Sequence, residues 1–438
     1  MTAHGIATDR DQMLLERLNR HPTLRARMES LLGVVEDAAG DLEKADAAER
    51  RVIEELRQMG NEALAAWAER GVEKSVAVAR VEPELRSAGK KKLYWHTTFG
   101  KVDVVEPLWR NGTRIERRFS TRAGISCRGS SQPLQRVMSD FGADAAFGRV
   151  PEKLKEHYGI EMPVSTIQRI TEHHAPIICE QEAKREIVAG TMAGVTFIGE
   201  MDGSMVPVVE ISSDAEDKRK GKRLAWKEVR LSLVHPKGSV TPIFGGNFAG
   251  GVEESGRQWW RCAAKAGFGP GSYLHAVGDG ASWIVTQEEI QFGAQGAYLV
   301  DFFHLCEYLG EASKVCAAND PRAWLEEQKS RLKANQSGAV LEALAPFVET
   351  NSDDPATACD RYIRNRRDQL DYQGAIKQGL PIGSGEIESA HRYVIQERIK
   401  LPGAWWSPDH IETMLALRLN RANREWDAYW RGVEKEAA

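Results

Sequence analysis

The sequence lacks the features of membrane, secreted and disulfide-rich proteins. Among its 438 residues no apolar run approaches the roughly 20 residues that a membrane-spanning helix needs. The N-terminal stretch MTAHGIATDRDQ is polar and carries no apolar signal segment. The six cysteines are scattered without a CxxC pair, so neither a disulfide framework nor a zinc ribbon is indicated. We expect a cytoplasmic protein with reduced thiols, no zinc and no membrane contact.

The chain also has little net charge, but its basic residues are concentrated locally. The formal net charge is −4, whereas residues 84–128 hold 11 basic and 4 acidic side chains. Further basic runs are KRKGKR (218–223), RYIRNRR (361–367) and RLNRANR (418–424). Each run alone is typical of a solvated surface, but together they favour a phosphate-binding track. The candidate DNA-backbone contacts are Arg117, Arg118, Lys218, Arg219, Lys220, Lys222 and Arg223.

Length and periodicity predict several domains. A chain of 438 residues is too long for one hydrophobic core, and its 42% hydrophobic and 28% charged content is that of a globular protein. The apolar spacing changes several times between helical and alternating patterns. The predicted regions are an N-terminal helical region (1–83), a small basic β unit (84–130), a helix-turn-helix region (131–180), an α/β catalytic domain (190–310 with 376–404), a helical insertion (311–375) and C-terminal helices (405–438).

A pair of short helices is predicted around the connection GIEMP, residues 159–163. FGRVPEKLKEHYG precedes it and VSTIQRITEHH follows it, with Leu154, Ile167 and Ile170 at helical core spacing. In a helix-turn-helix unit, the side chains at the start of the second helix contact DNA. These would be Ser165, Thr166, Gln168 and Arg169. A simple αα-hairpin without DNA binding gives the same pattern.

Three separated carboxylates fit one chemical requirement. Asp202 lies in IGEMDGSMV on a predicted first strand, Asp279 ends a later strand, and Glu386 or Glu388 starts a helix after GSG. Asp-Gly alone is typical of a turn, and acids are common at helix starts. Two Mg²⁺ ions on a phosphodiester, however, need a few carboxylate ligands brought together. Three strands followed by helix, strand, helix and strand predict a mixed α/β layer that could do this.

Several motifs resemble the DDE-type transposases of bacterial insertion sequences. MDGSMVPV, VGDGASWI, DFFHLCEYL and GSGEIESAHRYVIQERIK followed by GAWWS are most similar to the Kra-type group and distantly to Mutator-like enzymes. The resemblance implies an RNase H-like mixed-sheet domain with a helical insertion. Its metal ligands would be Asp202, Asp279 and Glu388, because the family glutamate follows GSG by three residues. Asp301, His304 and Glu386 are expected to be auxiliary.

The resemblance also implies an activity and its partners. With two Mg²⁺ or Mn²⁺ ions, the protein would cleave insertion-sequence ends and join the 3′-OH ends to target DNA. Double-stranded DNA would be its substrate, and a homodimer or higher oligomer would hold the two ends in the bacterial cytoplasm, at the nucleoid when bound. No organic cofactor is expected. The alternatives are an RNase H-like nuclease or resolvase without strand transfer, and a non-enzymatic domesticated DNA-binding protein.

Overall fold

The computed structural model describes residues 9–36, 44–125, 129–211, 221–349 and 353–437. The chain divides into two compact units, Met1–Thr171 with Trp430–Ala438, and Glu172–Tyr429. The domains predicted from sequence are finer than this division, and their boundaries stay predictions. Cys127 and the predicted DNA contacts Lys218, Arg219 and Lys220 lie outside the described residues.

In the first unit, one long helix covers a small antiparallel sheet of order β1-β2-β3. Val102 and Val104 alternate along β2 and bury one face against α3, where Ala68 is also buried. Trp95 and Phe119 complete this core. The elements of the unit are α1 (Asp9–Asn19), α2 (Pro22–Glu36), α3 (Ala45–Arg80), β1 (Leu85–Thr97), β2 (Gly100–Asn111), β3 (Arg114–Glu116), α4 (Arg118–Arg122), α5 (Gln132–Asp144) and α6 (Val150–Tyr158).

The predicted helix pair is present and has its own core. Helix α6 ends at Tyr158, and the following helix α7 (Val164–Lys184) begins after the predicted connection. Leu154, Ile167 and Ile170 are buried together with residues of α5, which confirms the predicted apolar contacts. At the start of α7, Ser165 and Gln168 are exposed while Thr166 and Arg169 are half-buried, and Arg169 Nη2 donates to Thr166 Oγ1 over 3.4 Å. DNA binding by these residues stays a prediction.

The second unit contains a five-stranded mixed sheet of order β6-β5-β4-β7-β8. Strands β4, β5 and β6 are mutually antiparallel, and β7 and β8 run parallel to β4. The α/β prediction is therefore confirmed at the level of a mixed sheet with many helices. The elements are β4 (Thr196–Ile211), β5 (Lys222–Pro236), β6 (Ile243–Asn247), α8 (Gly251–Ala266), β7 (Tyr273–Gly278), α9 (Ser282–Phe292), β8 (Gly296–Val300), α10 (Phe302–Cys316), α11 (Pro321–Lys333), α12 (Ser337–Leu344), α13 (Pro355–Arg364), α14 (Tyr372–Lys377), α15 (Gly385–Ala390) and α16 (Pro408–Ala422). The last helix, α17 (Trp426–Ala437), begins in this unit, and its residues from Trp430 onward belong to the first unit.

Strands β4 and β5 extend beyond the rest of the sheet. Their pairing runs from Phe197 opposite Pro236 to Ile211 opposite Lys222, whereas β7 pairs with β4 only as far as Glu200. The first residues of β5 therefore form a two-stranded arm with the last residues of β4. The predicted DNA contacts Lys222 and Arg223 are exposed on this arm.

Two expectations about membranes and thiols can be compared with the structure. Within the described ranges, no helix is both long enough and apolar enough to cross a bilayer. The described cysteines, Cys179, Cys262, Cys306, Cys316 and Cys359, are free thiols.

The central strand leaves no room for a side chain at Gly199. A Cβ atom there would lie 2.9 Å from Leu274 Cδ1 and 3.1 Å from Nε1 of Trp259, and both of these residues are fully buried. We therefore expect Gly199→Ala to lower the free energy of unfolding by about 1–3 kcal/mol, as overpacking of a core does. Urea unfolding followed by circular dichroism would measure it.

Gly310→Ala is the matched control, because nothing lies within 4 Å of a Cβ at this position in α10. Alanine there should raise the free energy of unfolding by up to about 1 kcal/mol, as a better helix former. Equal effects of the two substitutions would contradict the packing argument.

Candidate active site

Asp202 and Asp279 lie at the same level of two neighbouring parallel strands. The register of β4 with β7 ends at Glu200 opposite Val277, and each aspartate follows two residues later. Adjacent strands are about 4.8 Å apart, so the backbones at the two aspartates lie side by side. Both side chains are partly exposed. Sequence reasoning singled out both aspartates, and the pairing of the strands brings their backbones together.

The turn carrying Asp279 accepts hydrogen bonds from α13 and from the residues that directly follow this helix. The hydroxyl of Tyr362 on α13 donates to the Asp279 carbonyl over 2.5 Å, and Arg366 Nε donates to the Gly280 carbonyl over 3.0 Å. The Tyr298 hydroxyl accepts from the Gly280 amide over 3.0 Å. Burial raises the pKa of both tyrosines, so they remain neutral hydrogen-bonding groups. Arg366, which belongs to the basic run 361–367, therefore stabilises the fold through this hydrogen bond.

The segment preceding Glu388 is bound by two buried carboxylates. Asp301 Oδ2 accepts from the amide and the hydroxyl of Ser384, both over 2.6 Å, while its Oδ1 accepts from Phe303 and His304 amides at the start of α10. Glu200 Oε2 accepts from the Ile387 amide over 2.7 Å. Burial raises the pKa of Glu200 to about 8, against the opposing effect of that amide. These hydrogen bonds attach the first turn of α15 to β4 and α10.

Further contacts attach the preceding residues to the sheet. Nε2 of His275 on β7 lies 2.8 Å from the Pro381 carbonyl, and the Phe302 amide donates to the Ile382 carbonyl over 2.8 Å. The Asp301 amide donates to the Gly278 carbonyl, next to the turn of Asp279. The position of α15 relative to Asp202 and Asp279 is therefore set by several hydrogen bonds.

The two glutamates of GSGEIES have different surroundings. Glu386 Oε2 lies 3.0 Å from Nε2 of His235 on β5. The hydrogen bond from His235 lowers the pKa of Glu386, and although burial alone would lower the pKa of His235, Glu386 and the Pro236 carbonyl raise it. Glu388 is exposed and lines a cleft with Asp202. Because Glu386 and Glu388 are two residues apart on a helix, their side chains are separated by about 200° around the helix axis.

The cleft between β4 and α15 has a volume of about 510 Å³ and also contains His391 and Arg392. The buried ring of His391 places Nε2 3.3 Å from Asp202 Oδ2. This histidine begins a π-helical turn, His391–Gln396, that directly follows α15. Within the turn the Val394 carbonyl accepts from the buried Arg418 over 3.1 Å. The wider turn is a local insertion that often occurs at functional sites.

Two of the three candidate carboxylates, those of Asp279 and Glu388, keep oxygen atoms available for a cation. Oδ1 of Asp202 accepts from the Gly203 amide and Oδ1 of Asp279 from the Ala281 amide, at 2.7 and 2.8 Å. Neither Oδ2 of Asp279 nor the Glu388 carboxylate has a hydrogen-bond partner in the described part of the chain. No three His, Cys, Asp or Glu side chains among the described residues converge closely enough to hold a metal ion. The donor chemistry fits Mg²⁺, whereas a preformed three-ligand cluster is not present.

The remaining predicted residues have other surroundings. Asp301 is buried and caps α10, while His304 is half-exposed, with Nδ1 3.5 Å from Glu307 Oε2. Arg118 is paired with Glu82 and Glu116, and Arg117 Nε lies 3.6 Å from Glu106 Oε2. Their predicted roles in catalysis and DNA binding stay predictions.

Sequence reasoning missed three residues of this site, Glu200, His235 and His391. Glu200 lies two residues before Asp202, so strand periodicity puts both on one face. His391 lies three residues after Glu388, so helical periodicity puts both on one side of α15. These two could have been found by extending the pattern from the predicted ligands. His235 reaches Glu386 only through the pairing of β5 with β4.

Comparisons with known proteins give limited information. No protein-family model and no curated protein matches the chain. Among solved structures, it is similar to a chain of the Drosophila P element transposase strand transfer complex, with 12% sequence identity over 69% of this chain and 80% of that chain. The TM-score is 0.24, so the likeness establishes neither a shared fold nor a function.

The hydrogen bonds of Asp301 to Ser384 and to the first amides of α10 lead to a testable prediction. In Asp301→Asn one oxygen becomes an NH₂ group, which cannot accept from Ser384 or from the amides of α10. Hydrogen bonds to a charged group contribute about 1.5–3 kcal/mol each, so we expect the free energy of unfolding to fall by at least about 2 kcal/mol. Ser384→Ala removes one hydroxyl donor and should cost about 1 kcal/mol. Urea unfolding of the two variants would measure both changes in the free energy of unfolding. An unchanged stability of Asp301→Asn would contradict a stabilising role of these hydrogen bonds.

Proposed function

We propose that this protein is a DDE-type transposase whose active site is formed by Asp202, Asp279 and Glu388. The observation that carries the proposal is their placement. Asp202, within β4, and Asp279, directly after β7, lie at one level of two adjacent parallel strands, and Glu388 lines the cleft beside Asp202 from α15. This arrangement supports the assignment of the three carboxylates to one active site.

The sheet supports an RNase H-like assignment of the catalytic domain. Three antiparallel strands are followed by two parallel ones, and helices α8 and α9 connect β6 to β7 and β7 to β8. The candidate ligands lie on the first and fourth of these strands in chain order, which are neighbours in the sheet. The helical insertion then returns the chain to α15, which carries the third carboxylate.

The three carboxylates would hold two Mg²⁺ or Mn²⁺ ions, because hard divalent cations prefer oxygen ligands. When bound, the ions supply positive charge at the phosphodiester and activation of the attacking oxygen. The buried Glu200 and Asp301 hold the backbone of α15, so that Glu388 faces the cleft. His391 lies against Asp202 and limits its rotation. Arg392 lines the same cleft and provides positive charge for a phosphate.

DNA would be bound by surfaces outside the cleft. The exposed start of α7 is the candidate for contacts with duplex ends, and Lys222 and Arg223 on the β4–β5 arm are candidates for backbone contacts. A dimer or higher oligomer is expected, since two ends must be held together before they are joined to a target.

The proposal predicts different outcomes for the two neighbouring glutamates. The substrate would be labelled DNA containing the native sequences that flank the gene, incubated with Mg²⁺ or Mn²⁺. We expect Glu388→Gln to reduce cleavage by about 100-fold or more, as loss of a group that stabilises transition-state charge does. Glu386→Gln is the matched control and should retain most of the activity, because Glu386 contacts His235 instead of the cleft.

Loss of cleavage in Glu386→Gln with activity kept in Glu388→Gln would show that the assignment is wrong. A second assay separates the alternatives, using pre-cleaved ends, Mn²⁺ and a target plasmid. Joined products are expected of a transposase. Cleavage without joining would indicate a nuclease or resolvase, and end binding without either reaction would indicate a domesticated DNA-binding protein.

A further inference from the structure

The first unit contains a groove that the proposed active site does not use. The groove runs between α3 and the segment 115–123, and consists of two adjoining cavities of about 630 and 530 Å³. Both cavities are lined by Ser75 and Arg122, which makes them continuous. His21, directly before α2, and Leu24 of α2 form part of the wall of the larger cavity.

Unpaired cations line this groove. Arg70 and Lys74 are four residues apart on α3 and therefore share one face of the helix, and Arg122 lies across from them at the end of α4. All three are exposed, and none forms an ion pair with any residue that the structure describes. Among the residues that the structure describes, no carboxylate lines the larger cavity. The acid that lines the smaller one, Glu116, is paired with Arg118. The groove is thus electropositive.

An indole ring forms the floor beside these cations. Trp67 is 52% exposed, an unusual state for so large an apolar ring. Its centroid lies 5.7 Å from the ring of Trp95 and 5.9 Å from that of Phe119, so one side is held against the core. One turn along α3, Gly71 has no side chain, and a Cβ there would lie 2.7 Å from the Phe119 ring. The absence of that side chain lets Phe119 pack against α3 beside the tryptophan.

We propose that this groove binds single-stranded DNA, with an unpaired base stacked on Trp67 and the phosphates contacting Arg70, Lys74 and Arg122. The inference rests on the proposed function, which makes DNA the substrate, and adds a second binding surface to the helix pair. An aromatic platform beside a positively charged groove is how proteins bind unpaired strands. A duplex keeps its bases stacked on each other and offers no face to the indole. An acidic peptide would satisfy the cations but would leave the indole uncovered.

The test compares binding of fluorescent oligothymidylate with binding of a duplex, both of about 20 nucleotides per strand, a length that exceeds one binding site. It uses the full-length protein, and anisotropy gives the dissociation constants. We expect Trp67→Ala to weaken binding of the single strand about tenfold or more, since stacking on an aromatic ring has an effect of that size. Trp67→Phe should recover part of the affinity. Binding of the duplex should remain unchanged in both variants.

A double substitution at the cations tests the groove without touching the core. For Arg70→Gln with Lys74→Gln, the slope of log affinity against log salt should decrease by about 1.4, or about 0.7 for each phosphate of the single strand that is no longer neutralised. Arg50→Gln with Arg80→Gln is the matched control, because both residues are exposed on α3 outside the groove. Thermal unfolding of each variant checks that the fold is intact.

The possible outcomes separate this proposal from the proposed function. Failure of the wild type to bind oligothymidylate, or equal effects of the groove and control variants, would overturn the proposal that the groove binds single-stranded DNA. Displacement of the bound strand by an oligoglutamate peptide at comparable concentration would also overturn it, in favour of an acidic protein partner. Loss of single-strand binding in the groove variants supports the proposed single-strand site. If the wild type then neither cleaves nor joins DNA, only the transposase proposal fails.

Discussion

The candidate site depends on two carboxyl groups that are buried against backbone amides. A buried acid is costly unless its oxygen atoms accept hydrogen bonds, and amides at the start of a helix are donors that need acceptors. Asp301 meets both needs by accepting from Ser384 and from the first amides of α10, whereas Glu200 accepts from Ile387 with Oε2 and keeps Oε1 buried without a partner among the described residues. The same bonds determine where α15 begins and which way it faces. Every side chain that α15 presents to the cleft depends on this attachment.

The acids of this region consequently divide into two groups. Glu200 and Asp301 are buried and accept hydrogen bonds from the protein's own backbone. Asp202, Asp279 and Glu388 are more exposed, and Oδ2 of Asp279 and the Glu388 carboxylate have no hydrogen-bond partner in the described part of the chain. Glu386 belongs to neither group, because it forms an ion pair with His235 when the imidazole is protonated. Chemical type alone does not distinguish these six residues, but burial and hydrogen bonding do.

Much of the fold could be predicted from local patterns. The strand periods around residues 196–211 and 273–278 and the helical period of 164–176 reflect which side chains are buried, and burial follows from apolar spacing. The pairing of Asp202 with Asp279 was expected only from their motifs. Long-range strand register is not encoded in the local pattern of either strand, so the alignment of the two residues appeared only with the sheet.

Other features of the candidate site were missed for the same reason. The π-helical turn after α15 contains the Val394 carbonyl, which accepts from Arg418, a residue distant in sequence. The roles of Asp301 and Tyr362 likewise depend on partners 83 residues away. In the first unit, neither Arg70 nor Lys74 belongs to a basic run. They form an electropositive groove only because Arg122 comes to lie across from α3.

The sequence by itself determined the class of the second unit, a mixed α/β layer, and the residue types available for chemistry at its edge. It also indicated that Glu386 and Glu388 point in different directions, because two helical residues are separated by about 200°. Only the tertiary structure decided which glutamate faces Asp202 and which faces His235. Helix geometry determines the angle between two side chains. The hydrogen bonds of Glu200 and Asp301 determine how the whole helix is turned.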